Sequence, residues 1–280
     1  MKKQIAAITL LFTFANPFPS HAEGKQTAFD RITETGIIRC GYIIYPPQLS
    51  IDANTGKLSG LAYDLTERMA KDLHLKVEWT EEVTAAAWIE GLHNQRFDML
   101  CNTAWATTVR APQVLNSIPA FFTAVNAYAR IDDDRFNTGI SQINSKDYTI
   151  ATIDGSTSAA IARDSFPNAN TISLPDISDF SQLLLEVSNK KADLTFSEAS
   201  QFNDFDSKNP GVLKNITPNK PVRTIQNTFF VDGNELRLMS MINTALLNLH
   251  LEGFVDQTLD KYENGKDVWK RATLPYRQEK

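Results

Sequence analysis

The chain has 280 residues, of which 42% are hydrophobic and 22% charged, and its formal net charge is −5. That length and apolar share suit one large domain or two smaller ones with packed cores. The acidic balance argues against nucleic acid as a partner.

The elements are taken in chain order. Lys2 and Lys3, an apolar run over residues 5–15 and the small-residue site Ser20-His21-Ala22 predict a cleavable secretory signal over residues 1–22, with the mature chain starting at Glu23. The apolar run is shorter than the roughly 20 residues a bilayer span requires, and no cysteine follows it to take a lipid. The expected location is the periplasm. Residues 37–42 form an apolar run without helical period that ends at Pro46-Pro47, which predicts a strand entering a loop. After a turn-like cluster over residues 54–60, Leu61, Leu65, Met69 and Leu73 recur on one helical face. A strand over 75–79, a helix over 85–93 and a strand over 97–103 complete two strand-helix-strand units of the kind that build a parallel sheet. Cys40 and Cys101 both fall in strand segments. In an oxidising compartment they form a disulfide if their backbones are neighbours, and otherwise remain two buried thiols.

The middle of the chain repeats the alternation, with strands over 148–153, 171–174 and 192–196 and helices starting near Ser156 and Phe180, so two sheets are expected. Leu238, Met241, Ala245 and Leu249 predict a long amphipathic helix stopped by Gly253, with a second helix running to Tyr262. The extended stretches 124–130 and 226–231 separate the three blocks and read as paired crossovers, which would make the middle block an inserted lobe on a two-strand hinge.

Common catalytic signatures are missing. There is no Gly-x-Ser-x-Gly elbow, no phosphate-binding loop ending in Lys-Ser or Lys-Thr, and no His-Glu-x-x-His. His74, His93 and His250 lie on separate elements, so no metal site or cofactor is expected. Carboxylate acid-base chemistry leaves almost no sequence trace and stays open.

A free amino acid asks a site for a cation and donors for its carboxylate, an anion for its ammonium, and a surface for its side chain. Arg110, in a loop with Trp105, Thr107 and Thr108, is a candidate carboxylate clamp, against the plainer reading of a surface arginine. Gly155-Ser156-Thr157 opens a helix and can present N–H groups and hydroxyls to an anion, or serve only as an N-cap. Glu198, just past a strand, can take an ammonium or be an exposed loop residue. Tyr45, before the prolines, can cover a ligand face or pack on its own loop.

Together these pieces resemble family 3 of the bacterial extracellular solute-binding proteins, the polar amino-acid receptors of ABC importers. The resemblance runs over nearly all of the mature chain. It is carried by Tyr45-Pro46-Pro47, by Gly56-Lys57-Leu58-Ser59-Gly60-Leu61 with Asp64-Leu65, and by Phe97-Asp98-Met99-Leu100 leading to Thr107-Thr108-Val109-Arg110. Gly155-Ser156-Thr157, Ala192-Asp193 with Glu198, and Met241-Ile242-Asn243-Thr244-Ala245-Leu246 with Gly253 continue it.

The resemblance implies an α/β, two-lobed periplasmic binding protein fold of type II. Each lobe would be a mostly parallel sheet flanked by helices, with residues 23–127 and 229–280 in one lobe and 128–228 in the other. It implies a monomer that closes on a small-molecule ligand and docks on the permease subunits of an inner-membrane importer. By the same resemblance Tyr45 stacks on the ligand, Arg110 holds its carboxylate, Ser156 and Thr157 cap that group from the other lobe, and Glu198 holds the ammonium. The family usually carries aspartate at this last place. Trp105 stands where the family shows a small hydroxyl residue, with Thr103 two positions earlier, and can supply a second aromatic wall. The alternative is a secreted cyclohexadienyl (prephenate or arogenate) dehydratase on the same fold, with Glu198 as general acid. A sensory module is a third possibility.

Overall fold

The computed structural model describes residues 26–137, 139–265 and 268–273, so the predicted signal over residues 1–22 and the start at Glu23 lie outside the described residues. Helix α1 (Ala28–Thr35) is capped by Thr27, whose hydroxyl accepts from the Asp30 N–H, and Gly36 ends it in the left-handed region at φ 70°. Strand β1 (Ile37–Tyr42) follows, then a small hairpin of β2 (Ser50–Ile51) and β3 (Leu58–Ser59). Helix α2 (Leu61–Asp72) buries Leu61, Leu65 and Met69, the face its periodicity predicts. Strand β4 (Lys76–Glu82), helix α3 (Trp88–His93) and strand β5 (Met99–Trp105) come next. Helix α3 is shorter than expected because residues 85–87 form turns. Strand β5 runs two residues beyond its predicted end and therefore includes Trp105, which the sequence had placed in a loop.

After β6 (Val114–Asn116), the long strand β7 (Phe121–Arg130) leads into the middle block. This block contains β8 (Thr149–Ile153), α4 (Thr157–Ser165), β9 (Asn170–Leu174), α5 (Ser181–Ser188), β10 (Leu194–Glu198), α6 (Ala199–Lys208) and β11 (Leu213–Asn215). Strand β12 (Arg223–Asp232) returns, and α7 (Leu236–Leu251), α8 (Phe254–Tyr262) and β13 (Trp269–Arg271) complete the described chain. No helix among the described residues is long and apolar enough to cross a membrane.

The strands do not form two separate sheets. Their hydrogen bonds run without a break in the order β4-β1-β5-β12-β7-β10-β8-β9. At one end β1 pairs parallel with β4 and β5, and at the other β8 pairs parallel with β9 and β10. The antiparallel pair β7 and β12 joins the two ends, with Arg223 opposite Val125 and Asn227 opposite Phe121. Each crossing strand is long enough to pair in both directions, β12 with β5 and β7 with β10, and this fuses the ladders.

The apolar clusters sort by chain segment. Ile38, Leu65, Met99, Leu238 and Ile242 pack in one cluster, and Trp88, Phe97, Leu100 and Phe230 in another beside it. Ile150, Ile161 and Phe196, and separately Leu184, Val187 and Leu213, form the cores of the middle block. The crossing strands serve both ends, since Phe121 and Phe229 belong to the first core and Val125 and Ile225 to the middle one. The Phe97 ring lies against Gly41, where a Cβ would come within 2.5 Å of it. Cys40 on β1 and Cys101 on β5 form a disulfide, their Cα atoms 5.3 Å apart on neighbouring strands.

Candidate functional site

All seven residues singled out in the sequence line one cavity of about 100 Å³: Tyr45, Thr103, Trp105, Arg110, Ser156, Thr157 and Glu198. They come from both ends of the sheet. Tyr45 is held where the chain turns back after β1, its N–H donating to Leu49 O at 2.9 Å and its carbonyl accepting from the Leu49 N–H at 3.0 Å. The same loop buries Gln48, whose side-chain oxygen accepts from the Thr103 hydroxyl at 2.7 Å. Thr103 and Trp105 alternate along β5, so both can face the cavity from one strand.

Arg110 follows in the loop after β5. One guanidinium nitrogen donates to the Trp105 carbonyl at 2.8 Å, and its Cζ lies 5.3 Å from the centre of the Trp88 ring. Burial lowers its pKa, yet a guanidinium keeps its charge at any working pH. From the middle block, Ser156 caps α4 by accepting from the Ala159 N–H at 3.4 Å, and its hydroxyl lies 2.7 Å from that of Ser158. The capping role is therefore filled, and the same residue also lines the cavity. Thr157 begins α4, whose N-terminal dipole faces the same space.

Glu198 is the last residue of β10 and the N-cap of α6. It is not the exposed loop residue of the plainer reading, being only 2% exposed. Burial pushes its carboxyl up to about 7, against hydrogen bonding from Tyr45, Ser200 and Trp105 that pulls it down. Tyr45 is raised well above the ordinary tyrosine value, first by burial and then by the nearby Glu198 charge.

Several other arginines are neutralised by carboxylates. Arg31 and Arg39 converge on Asp98, Arg130 and Arg135 on Asp133 and Asp193, and Arg271 pairs with Glu263 at 2.9 Å. Among the described residues, neither Arg110 nor Glu198 has such a partner. The cavity thus holds one cation and one carboxyl group that the protein leaves unpaired.

Contacts join the two ends around the cavity. Tyr45 meets Phe180 edge to face, ring centres 5.3 Å apart, and the Gln201 amide donates to Pro46 O at 2.8 Å. Gln48, Trp88, Phe180 and Asn227 also line the cavity and were not singled out in the sequence. Gln48 adjoins the noted prolines and Trp88 lies on a predicted helix, so their neighbourhoods were in view. Asn227 gave no local signal, because one amide in an extended run has no pattern to depart from. A larger groove of about 620 Å³ runs along α7 past Met239, Asn243 and Leu247, and no charged side chain lines it.

The sequence profile of the bacterial extracellular solute-binding proteins, family 3, matches residues 38–265. No curated protein sequence matches the chain. Among solved structures, the chain is similar to the ancestral amino acid-binding protein AncCDT-1, a precursor of cyclohexadienyl dehydratase. The identity is 22% and the TM-score 0.72, over 85% of this chain and 99% of that one. It is also similar to the cysteine-binding protein from Campylobacter jejuni, at 21% identity and TM-score 0.72, over 86% of this chain and 96% of that one. A putative binding component of an ABC transporter from Wolinella succinogenes, complexed with lysine, is 18% identical with a TM-score of 0.71, over 81% of this chain and 96% of that one. At these identities the likeness concerns the fold.

Proposed function

We propose that this chain, which belongs to the bacterial extracellular solute-binding proteins, family 3, binds a small amino acid between its two lobes and presents it to an ABC importer. The observation that carries the reading is the unpaired Arg110 and the unpaired Glu198 lining one cavity. An α-amino acid brings the two missing partners, a carboxylate for the guanidinium and an ammonium for the carboxyl. Ser156, Thr157 and the α4 N-terminus add donors to the carboxylate, Thr103 adds a hydroxyl, and Tyr45 and Trp105 cover the apolar part.

In this reading residues 23–127 with 229–280 form one lobe and 128–228 the other, and β7 and β12 act as the hinge. The contacts of Tyr45 with Phe180 and of Gln201 with Pro46 favour the closed arrangement, and a ligand bridging Arg110 and Glu198 shifts the population further toward it. The family and the predicted secretory signal support delivery from the periplasm to permease subunits.

Calorimetry with the twenty standard L-amino acids tests the reading. At least one is expected to bind with micromolar or tighter Kd, and binding of none would overturn it. One observation favours a second reading, a cyclohexadienyl dehydratase: a carboxyl that burial holds near 7 suits a general acid. Turnover of prephenate or arogenate by the purified protein would establish that reading in place of the receptor.

A further inference from the structure

Asn227 sits on β12 with none of its surface exposed, and it lines the same cavity as Arg110 and Glu198. Its amide nitrogen donates to the Thr123 hydroxyl on β7, while its amide oxygen is buried without any partner. The carboxamide oxygen is thus an unserved acceptor on a residue that lines the cavity. A buried polar atom left without a partner destabilises the protein that carries it, and a leucine of similar shape would avoid that cost.

The strand register relates this residue to Glu198. Asn227 stands opposite Phe121 on β7 and Glu198 opposite Val125. Those two β7 positions differ by an even number, so Asn227 and Glu198 lie on the same face of the crossing strands. Trp105, another cavity residue, is the backbone partner of Asn227 on the other side. An ammonium group offers three N–H donors, more than one carboxyl group need satisfy.

We propose that Asn227 is a specificity residue of this site, its carboxamide oxygen accepting an N–H from the primary amine of the bound solute, which it recognises together with Glu198. The inference rests on the amino-acid reading and deepens it. A solute with a full complement of amine donors is selected, and the analogue with a hydroxyl in place of the amine leaves the carboxamide unserved and is bound less well.

The test compares wild type and Asn227→Leu by calorimetry, using each of the twenty L-amino acids that binds and the 2-hydroxy acid with the same side chain. Ligand-free melting is followed in parallel. The leucine variant is expected to melt at or above the wild-type temperature and to bind the amino acid ten- to a hundredfold more weakly. Its preference for amino over hydroxy acid should shrink. Amino-acid affinity within twofold of wild type would overturn the proposal, as would equal losses for the two ligand series. Should Asn227→Leu fail to fold, Asn227→Ser is measured against the same expectations, since the shorter side chain withdraws the acceptor. Wild-type protein that binds none of the twenty would refute the amino-acid reading itself, whereas binding that is insensitive at position 227 refutes only the role of Asn227.

Discussion

Replacing Glu198 with glutamine removes the one ionisable carboxyl in the cavity and keeps its shape. Burial raises this carboxyl from the ordinary 4.5 to about 7 in the folded protein. Its neutral form is therefore favoured by folding, so its contribution to stability is complete below about 4.5 and is lost as the pH rises through about 7. At about 1.36 kcal/mol per pH unit, the loss amounts to roughly 3 kcal/mol by pH 8. Glutamine is neutral throughout. Ligand-free Glu198→Gln should thus match wild type near pH 4.5 and be more stable by about 3 kcal/mol at pH 8, or roughly 6–12 °C in Tm for a protein of this size. Differential scanning calorimetry of both proteins at pH 4.5, 6 and 8, without ligand, measures the difference directly. A gap in Tm that stays constant across these pH values would refute the argument, because it would mean that Glu198 ionises as freely in the folded chain as in the unfolded one.

Other expectations follow from the same geometry. Arg110→Ala should raise the Kd for an amino acid by a factor of about 30 or more, since truncating one partner of a buried charge pair costs about 2–5 kcal/mol, and unchanged affinity by calorimetry would remove the residue from the site. Replacing both Cys40 and Cys101 with serine opens a bridge spanning 61 positions. The chain-entropy relation puts that loss at about 4 kcal/mol, and a reductant should lower the Tm of wild type but not of the double variant. Gly41→Ala pushes a methyl into the buried Phe97 ring and should cost about 1–3 kcal/mol in denaturant unfolding, with no such further loss expected when it is added to a Phe97→Leu variant.

Much of the fold was legible because its signals are local. The apolar face of α2, the alternation of strands and helices in both blocks, Ser156 ahead of α4 and Gly253 after α7 all depend on residues within a few positions of each other. Helices α1 and α6 escaped because their apolar positions are few, and only Ala28 and Ile32 of α1 and Ser200 and Phe205 of α6 are buried. The ends of β5 and β10 were each read two residues short, since a strand's length depends on what pairs beside it. Trp105 is strand because Asn227 stands opposite, and Glu198 is strand because Val125 does. The site residues found from sequence were those with a distinctive chemical type beside a turn or strand end. Gln48 and Asn227 are ordinary amides whose residue type does not set them apart, although Gln48 directly follows the noted prolines.

By itself, the sequence determined the order of the main alternating strands and helices, the apolar faces of the strongly periodic helices and the family to which the chain belongs, because each follows from periodicity, turn chemistry and motif order along the backbone. Only the tertiary structure decided that the cysteines are bridged, that one ladder runs through both crossing strands, and that Arg110 and Glu198 share a cavity without a partner of their own. Those outcomes depend on distances between segments far apart in the chain, and on the loss of water around groups that are unremarkable until they are enclosed. Burial makes the carboxyl of Glu198 and the amide of Asn227 informative, and burial is a property of the packed molecule.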